Sequence, residues 1–580
     1  MSEENKKAIA AAIKNAKTLK KKSKNFLPDG CPVVPLGTKD GLYYYITPLS
    51  QLRCLKDKDH GAKQILSLFE MESSFLQSGR YARTNAKGEV TGWYSDEVAR
   101  DLMASCAQEG IWEPGDKVRG AGAWRNDDGN IVIHCGDVIF ENNKEFKPGI
   151  HGSFVYPSEP KRQRPALNGA VSGEVAELLD LIKTWNWSRP DLDPYLLLGW
   201  IGAASIGGAL KWRPLMWVTG DKGTGKSTLQ DLIAAVFAGS LLAVSDTTPA
   251  GIWQSVKYSS LPVALDEIEP EDDNKKVQAV IKLARQACSG GVVLRGSSDG
   301  QAGTFKAMNC YFFSSILIPP LLPQDRSRMA ILDLGHIGGK PPVINHRHFG
   351  ELGSKILRKM LDCFSTFTDN IEILRGKLSV AGLDSRGCDQ FGVLLAAADI
   401  LLTNGDIMDS DSASIWVDRI KPMIAQERYE NVSDHTACAE HLFTSFADIY
   451  KDGAKRTIGD WIAEAAGLDC SKSSANADPQ QANKIISTYG LRVEKIQDSR
   501  GGEIPALFIA SRHQGLAKVY ENTHWRQGVW IQAFRRFPGA TNYNTKRFNG
   551  VAAKCVYVPL DNLPLHPDVE EVVALMNATA

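Results

Sequence analysis

The chain has 580 residues, 43% hydrophobic and 23% charged, a balance typical of globular proteins and a length too great for one hydrophobic core. Its 67 basic and 67 acidic side chains cancel, so any attraction to a polyanion has to come from local patches. The 11 cysteines form no C-x-x-C pair and no Cys/His cluster at zinc spacing, which argues against a structural zinc and fits free thiols in a reducing compartment.

The first 25 residues carry Lys6, Lys7, Lys14, Lys17, Lys20, Lys21, Lys22 and Lys24 around an Ile9, Ile13, Ala16, Leu19 stripe. That pattern predicts a basic amphipathic helix over 1–30, able to touch DNA phosphates, or equally a solvated terminus. Residues 31–150 alternate short β-like runs with turn-rich pieces around a helical stretch at 95–109, the texture of a separate α+β domain. His134, Cys135 and Asp137 fall within one of these runs, where strand alternation explains them without a metal. A Pro- and Arg-containing stretch makes 151–171 the expected linker. Two helices are then predicted, near 172–185 and 194–210. The apolar run at 195–210 is shorter than the ~20 residues a spanning helix needs, so no membrane attachment is expected.

At 215–219 an apolar strand runs into GDKGTGKS, and a helical pattern begins near Lys226. This fits G-x-x-x-x-G-K-[ST] at every fixed position. Glycines at 220, 223 and 225 allow the backbone to curl so that successive N–H groups face phosphate oxygens, with the positive end of a helix behind them. The expected nucleotide-contacting stretch is Gly220, Asp221, Lys222, Gly223, Thr224, Gly225, Lys226, Ser227 and Thr228. Lys226 is assigned to the β- and γ-phosphates, and the Ser227 hydroxyl to Mg²⁺.

About forty residues on, a short apolar run at 262–265 ends in Asp266 and Glu267. Asp266 is expected to help hold Mg²⁺ and Glu267 to polarise the attacking water. A helix over 274–287 leads to a predicted hairpin, 292–296 and 304–308, with Arg295 and Lys306 as candidate DNA contacts. The next strand, 310–316, carries Ser314 and Ser315 at its end, and Ser315 is taken as the γ-phosphate-sensing candidate. Arg328, with Arg326 as second choice, precedes a final apolar strand at 329–334 and is the candidate to act across a subunit interface.

Together, Gly220 to Ser227, the Asp266–Glu267 strand end, the hairpin, the polar-ended strand and the Asp-Arg-Ser-Arg at 325–328 resemble the motor of AAA+ replicative helicases of phages, prophages and mobile elements. These are similar to superfamily 3 viral helicases and MCM rings. The resemblance spans about 172–405. Serines end the sensing strand here, where superfamily 3 members carry asparagine. The resemblance implies an α/β P-loop NTPase (AAA+-like) motor that uses ATP and Mg²⁺. It also implies a homo-oligomeric ring, a hexamer, acting on single-stranded or forked DNA in a bacterial host cytoplasm. An ATP-switched origin-binding initiator without unwinding activity is the alternative.

The motor is expected over 172–340 and a helical lid over 341–435, with Arg386 as a second sensor. In 436–580, helical stretches at 439–452, 456–467 and 480–490 precede strands at 491–496 and 504–509, the order of a winged-helix-like domain. Trp530, Phe534 and Phe537 recur at core spacing. Arg535 and Arg536 lie off that stripe as candidate phosphate contacts.

Overall fold

A computed structural model describes residues 26–141, 143–245, 247–270, 274–296, 302–339, 341–430, 434–447, 456–468, 478–497 and 502–565. The basic N-terminal stretch, the hairpin tip at 297–301 and the turn at 498–501 lie outside the described residues. Two compact units divide the chain after Ile424. No described helix is long and apolar enough to cross a membrane.

The first unit opens with an antiparallel sheet of β1 (Val34–Lys39), β2 (Leu42–Ile46) and β3 (Leu52–Lys56), followed by α1 (Ala62–Phe69). A short hairpin of β4 (Ala82–Thr84) and β5 (Val90–Trp93) leads into α2 (Ser95–Glu109), on the residues predicted to be helical. Val98, Leu102 and Cys106 recur at helical spacing and bury against Tyr45, Ile65 and Phe69, giving this part its own small core.

The next sheet is β6 (Gly122–Arg125), β7 (Ile131–His134), β8 (Ile139–Glu141) and β9 (Lys144–Phe146), and β10 (Gly149–His151) pairs with β11 (Phe154–Tyr156). Here the expected boundary at 150 fails. Ala123, Ile131 and Ile133 bury in the same core as the helices that cover the parallel sheet, and Ala121 O and Ala123 O accept from Ser260 N and Ser260 Oγ. The expected linker is also a packed strap. Arg162 N donates to Cys135 O, Gln163 Nε2 to Val236 O and Gly350 O, and Ala166 N to Ser354 O. Its composition suggested flexibility, but its polar groups are tied to three different parts of the chain.

After α3 (Ser172–Ile182) and α4 (Asp193–Ser205) comes a five-stranded sheet made of parallel pairs. Its elements are β12 (Leu215–Gly220), α5 (Lys226–Phe237), β13 (Leu242–Val244), α6 (Pro249–Val256), β14 (Val263–Leu265) and α7 (Lys275–Cys288). They are followed by the hairpin β15 (Val292–Gly296) and β16 (Ala302–Lys306), then β17 (Tyr311–Ser315), α8 (Pro323–Arg326) and β18 (Met329–Leu334). The strand order is β13-β14-β17-β12-β18. Both faces are covered, so the strands read as continuous apolar runs. Met216, Val218, Ala264 and Phe312 pack with Leu229, Leu232 and Ile233 of α5. Leu215, Trp217, Leu265 and Phe313 pack on the other face with Val280, Ile281 and Ala284 of α7.

Beyond the sheet lie α9 (His346–Asp362), α10 (Phe364–Ala381), α11 (Ser385–Leu402) and α12 (Ser410–Glu430). These helices are not an outlying lid. Residues 391–398 of α11 are buried without a gap and pack on α4, where a Cβ on Gly199 would lie 1.9 Å from Leu394 O. The helices and the α5 face of the sheet form one core.

The second unit contains α13 (Asp434–Thr444), α14 (Ile458–Ala466), α15 (Pro479–Ser487), β19 (Leu491–Gln497) and β20 (Glu503–Ala510). Thr457 and Asp460 cap α14 reciprocally, and Asp478 with Pro479 starts α15. Then α16 (Gln514–Val519) and α17 (Trp530–Phe534) precede a hairpin, β21 (Thr541–Phe548) and β22 (Val551–Pro559). The resulting sheet has four strands, in the order β19-β20-β22-β21, where two were predicted. Trp530, Phe534 and Phe537 are core residues, as their spacing indicated.

Candidate functional site: the C-terminal end of the parallel sheet

The turn from β12 into α5 depends on three glycines in the positive-φ region. Gly220 has φ 150°, Gly223 87° and Gly225 84°. A Cβ on Gly220 would lie 2.3 Å from Leu334 O, and one on Gly225 would meet Ile337 Cδ1 at 2.4 Å and Trp185 Nε1 at 2.8 Å. Both positions are therefore closed to side chains on two counts, backbone angle and space. The Trp185 indole also donates to Gly225 O at 3.0 Å, so the segment before α4 buttresses the loop. That contact had no sequence signal.

Within the loop, Thr224 is buried and its hydroxyl donates to Asp221 O at 2.9 Å. Asp221 and Lys222 are exposed. The Lys226 ammonium donates to Gly220 O at 2.5 Å and to Asp221 O at 3.0 Å, which holds it over the turn. Ser227 and Thr228 follow in the first turn of α5.

Asp266 and Glu267 emerge at the same end of the sheet. Asp266 N donates to Val244 O at 3.0 Å, which extends the β14 alternation by one residue and puts Asp266 on the α5 face. Glu267 is exposed and has φ 58°, a left-handed conformation unusual for a glutamate and of the kind that collects at functional sites. Glu267 N donates to Asp266 Oδ1 at 3.0 Å.

The serines of β17 separate by the same alternation, which corrects the sensing assignment. Ser315 lies on the α7 face, where its Oγ accepts from Trp217 Nε1 at 2.8 Å. Ser314 pairs in register with Val218 on the α5 face, and its carbonyl accepts from Ile268 N at 3.1 Å. The Ser314 hydroxyl is fully buried and has no hydrogen-bond partner. It sits between the loop strand and the acid-bearing strand, because β17 lies between β12 and β14.

The residues at this end suit a nucleoside triphosphate with Mg²⁺. They combine a positive-φ glycine loop with Lys226, hard oxygen donors at Ser227 and Asp266, and an orphan hydroxyl at Ser314.

Arg326 and Arg328 lie elsewhere, ahead of the first residue of β18, at the opposite end of the sheet. Arg328 is half-buried and its Nε has no partner. Burial, with Arg386 next in effect, pushes it below the usual guanidinium range. Arg386 Nη1 is 3.5 Å from Ser327 Oγ. Arg386 is therefore grouped with the arginines rather than over its own chain's loop, against its expected role as a sensor there. Asp325 is buried and bonds Arg285 Nη1 at 2.7 Å.

The DNA candidates fall in both units. Arg295 lies on β15 opposite Gly303, and Lys306 at the end of β16 is 3.8 Å from Asp116. In the second unit, Arg535 Nε donates to Asn542 Oδ1 at 2.9 Å and Arg536 pairs with Asp434 at 3.4 Å. Asn542 is on β21, the edge strand farthest from β19.

No protein-family profile matches this chain, and no curated protein matches it either. Among solved structures it is similar to three of the apo C-terminal region of NrS-1. One A-form structure is 11% identical, covers 90% of this chain and 96% of its own, and has a TM-score of 0.32. Another, of residues 305–718, is 12% identical, covers 75% and 95%, and has a TM-score of 0.29. A third, the A form of the same residues, is 10% identical, covers 91% and 96%, and has a TM-score of 0.33.

Proposed function

We propose that this chain is a P-loop ATPase of the AAA+ helicase type, working as a ring on single-stranded or forked DNA. The observation that carries the reading is the convergence of Gly220–Ser227, Asp266, Glu267 and the unpartnered Ser314 hydroxyl at one end of adjacent parallel strands. In this reading the loop N–H groups and Lys226 bind the phosphates of ATP. Ser227 and Asp266 hold Mg²⁺, which neutralises phosphate charge when bound. Glu267 orients the attacking water and accepts its proton, and Ser314 donates to the γ-phosphate.

The sheet also supports action between copies. Six residue steps separate Arg328 from Leu334, the register partner of Gly220, about 20 Å of strand at ~3.3 Å per residue. Arg328 at the near end is thus beyond reach of its own chain's loop, and its target is the site of a neighbour. The order α13, α14, α15, β19, β20 supports a winged-helix-like second unit extended by β21 and β22.

The test is ATP hydrolysis by the purified chain with and without forked DNA, alongside strand displacement. The reading predicts DNA-stimulated hydrolysis and strand separation. Stimulated hydrolysis without strand separation contradicts the helicase step, and no hydrolysis contradicts the ATPase.

A further inference from the structure

We infer that Glu269 is a positioning residue for ATP hydrolysis, fixing the end of β17 against the P-loop strand and setting the segment that carries Arg326 and Arg328. The inference rests on the ATPase reading above.

Glu269 follows Glu267 by two residues and is half-buried. Its carboxylate accepts from the backbone N–H of Ile316 and, at 3.0 Å, from that of Leu317. Hydrogen bonds to an ionised acceptor are shorter and stronger than neutral ones, so this grip on two successive amides is firm. The Ile316 carbonyl accepts from Thr219 Oγ1 at 2.8 Å. Thr219 immediately precedes Gly220. The peptide just beyond Ser314 and Ser315 is therefore held on one side by the P-loop strand and on the other by the acid-bearing loop. A shift of any one of the three strand ends strains the tie to the other two.

The same peptide begins the segment that runs to the arginines. Ile318 and Leu321 pack against the α7-side core, and Pro320 O accepts from Gln278 Nε2 of α7 at 2.8 Å. Asp325 is then fixed by Arg285 of α7. Residues 316–328 are thus anchored at their start by Glu269, in the middle by Gln278 and near their end by Arg285. Glu269 is the anchor at the nucleotide end. It reaches no reacting atom itself. Its effect is to place Ser314 and, through the segment, the arginines offered to the next copy.

The experiment uses the full chain with Glu269→Ala and Glu269→Gln, measuring kcat and KM for ATP together with the thermal midpoint. A displacement of about 1 Å in positioned groups costs up to about 100-fold. Glu269→Ala is accordingly expected to lower kcat by about 10- to 100-fold, with KM and midpoint near wild type. Glu269→Gln, which keeps one acceptor oxygen, is expected to recover part of the loss. Thr219→Val combined with Glu269→Ala is expected to be non-additive, since both grip the same peptide. A wild-type kcat in Glu269→Ala, or a loss explained wholly by KM or by a lowered midpoint, overturns the inference while leaving the ATPase reading intact. A wild-type chain that hydrolyses no ATP overturns both.

Discussion

At the C-terminal end of the parallel strands the polar groups are mostly partnered within the chain. Lys226 sits on loop carbonyls, Glu269 on two amides and Thr219 on Ile316, while Ser314 is left open. At the opposite end, Arg328 and Arg386 gather beside Asp325, whose charge is already matched by Arg285. One end leaves the buried Ser314 hydroxyl without a hydrogen-bond partner, and the other leaves the Arg328 Nε without one. About 20 Å of strand keeps them apart within a chain, so the proposed action of Arg328 on such a site requires a second copy.

The largest effects should come from breaking either of the two ends. Glu267→Gln is expected to reduce kcat by about 100-fold or more, as loss of a catalytic carboxylate does, while ATP binding persists in a nucleotide-binding titration. Unchanged turnover would remove Glu267 from the mechanism. At the cationic end, Arg328→Ala is expected to cost about 1,000-fold or more in kcat if it acts as an arginine finger, again with binding preserved. A much smaller loss in Arg326→Ala would separate the two arginines.

Next come changes to the scaffold that both ends share. Gly199→Val drives side-chain atoms into Leu394 O, where even a Cβ would lie at 1.9 Å. It is expected to destabilise the first unit by several kcal/mol, on the order of the larger core substitutions, and urea denaturation measures it. An unaltered midpoint would mean that α4 and α11 do not pack as described.

The smallest effect is one of pH. His134 is buried in β7, and burial pulls its imidazole down to about 4. Between about pH 4 and 6.5 the unfolded chain then binds more protons at this residue than the native one. Its stability contribution is full above pH 6.5 and is lost as the pH falls toward 4. His134→Gln is expected to flatten the stability slope there by up to about 1.4 kcal/mol per pH unit, read from denaturation midpoints across the window. An identical slope in both proteins would show that His134 titrates normally.

Much of the pocket end was legible in the sequence because its constraints are local. The positive-φ glycines, the strand at Met329–Leu334 and the acids ending β14 each reveal themselves within a few residues. What was missed depends on distant partners. The apolar residues of β6 and β7 look the same whether they bury a core of their own or, as here, that of the parallel sheet and its helices. The helices after β18 likewise read as a separate lid because amphipathic spacing does not say against what a face packs. Ser314 and Ser315 are chemically identical neighbours, and choosing between them needed the register with β12 and the Trp217 indole. Glu269 stood in plain view two residues past Glu267, but its partners lie 47 and 48 residues away.

The most direct test of the split site is to mix two inactive variants. Lys226→Ala disables the pocket and keeps Arg328, while Arg328→Ala does the reverse. In randomly mixed rings, about a quarter of the interfaces join an intact pocket to an intact arginine. The account predicts that the equimolar mixture recovers ATP hydrolysis, up to about that fraction of wild type if interfaces work independently. A mixture no more active than either variant alone would contradict it.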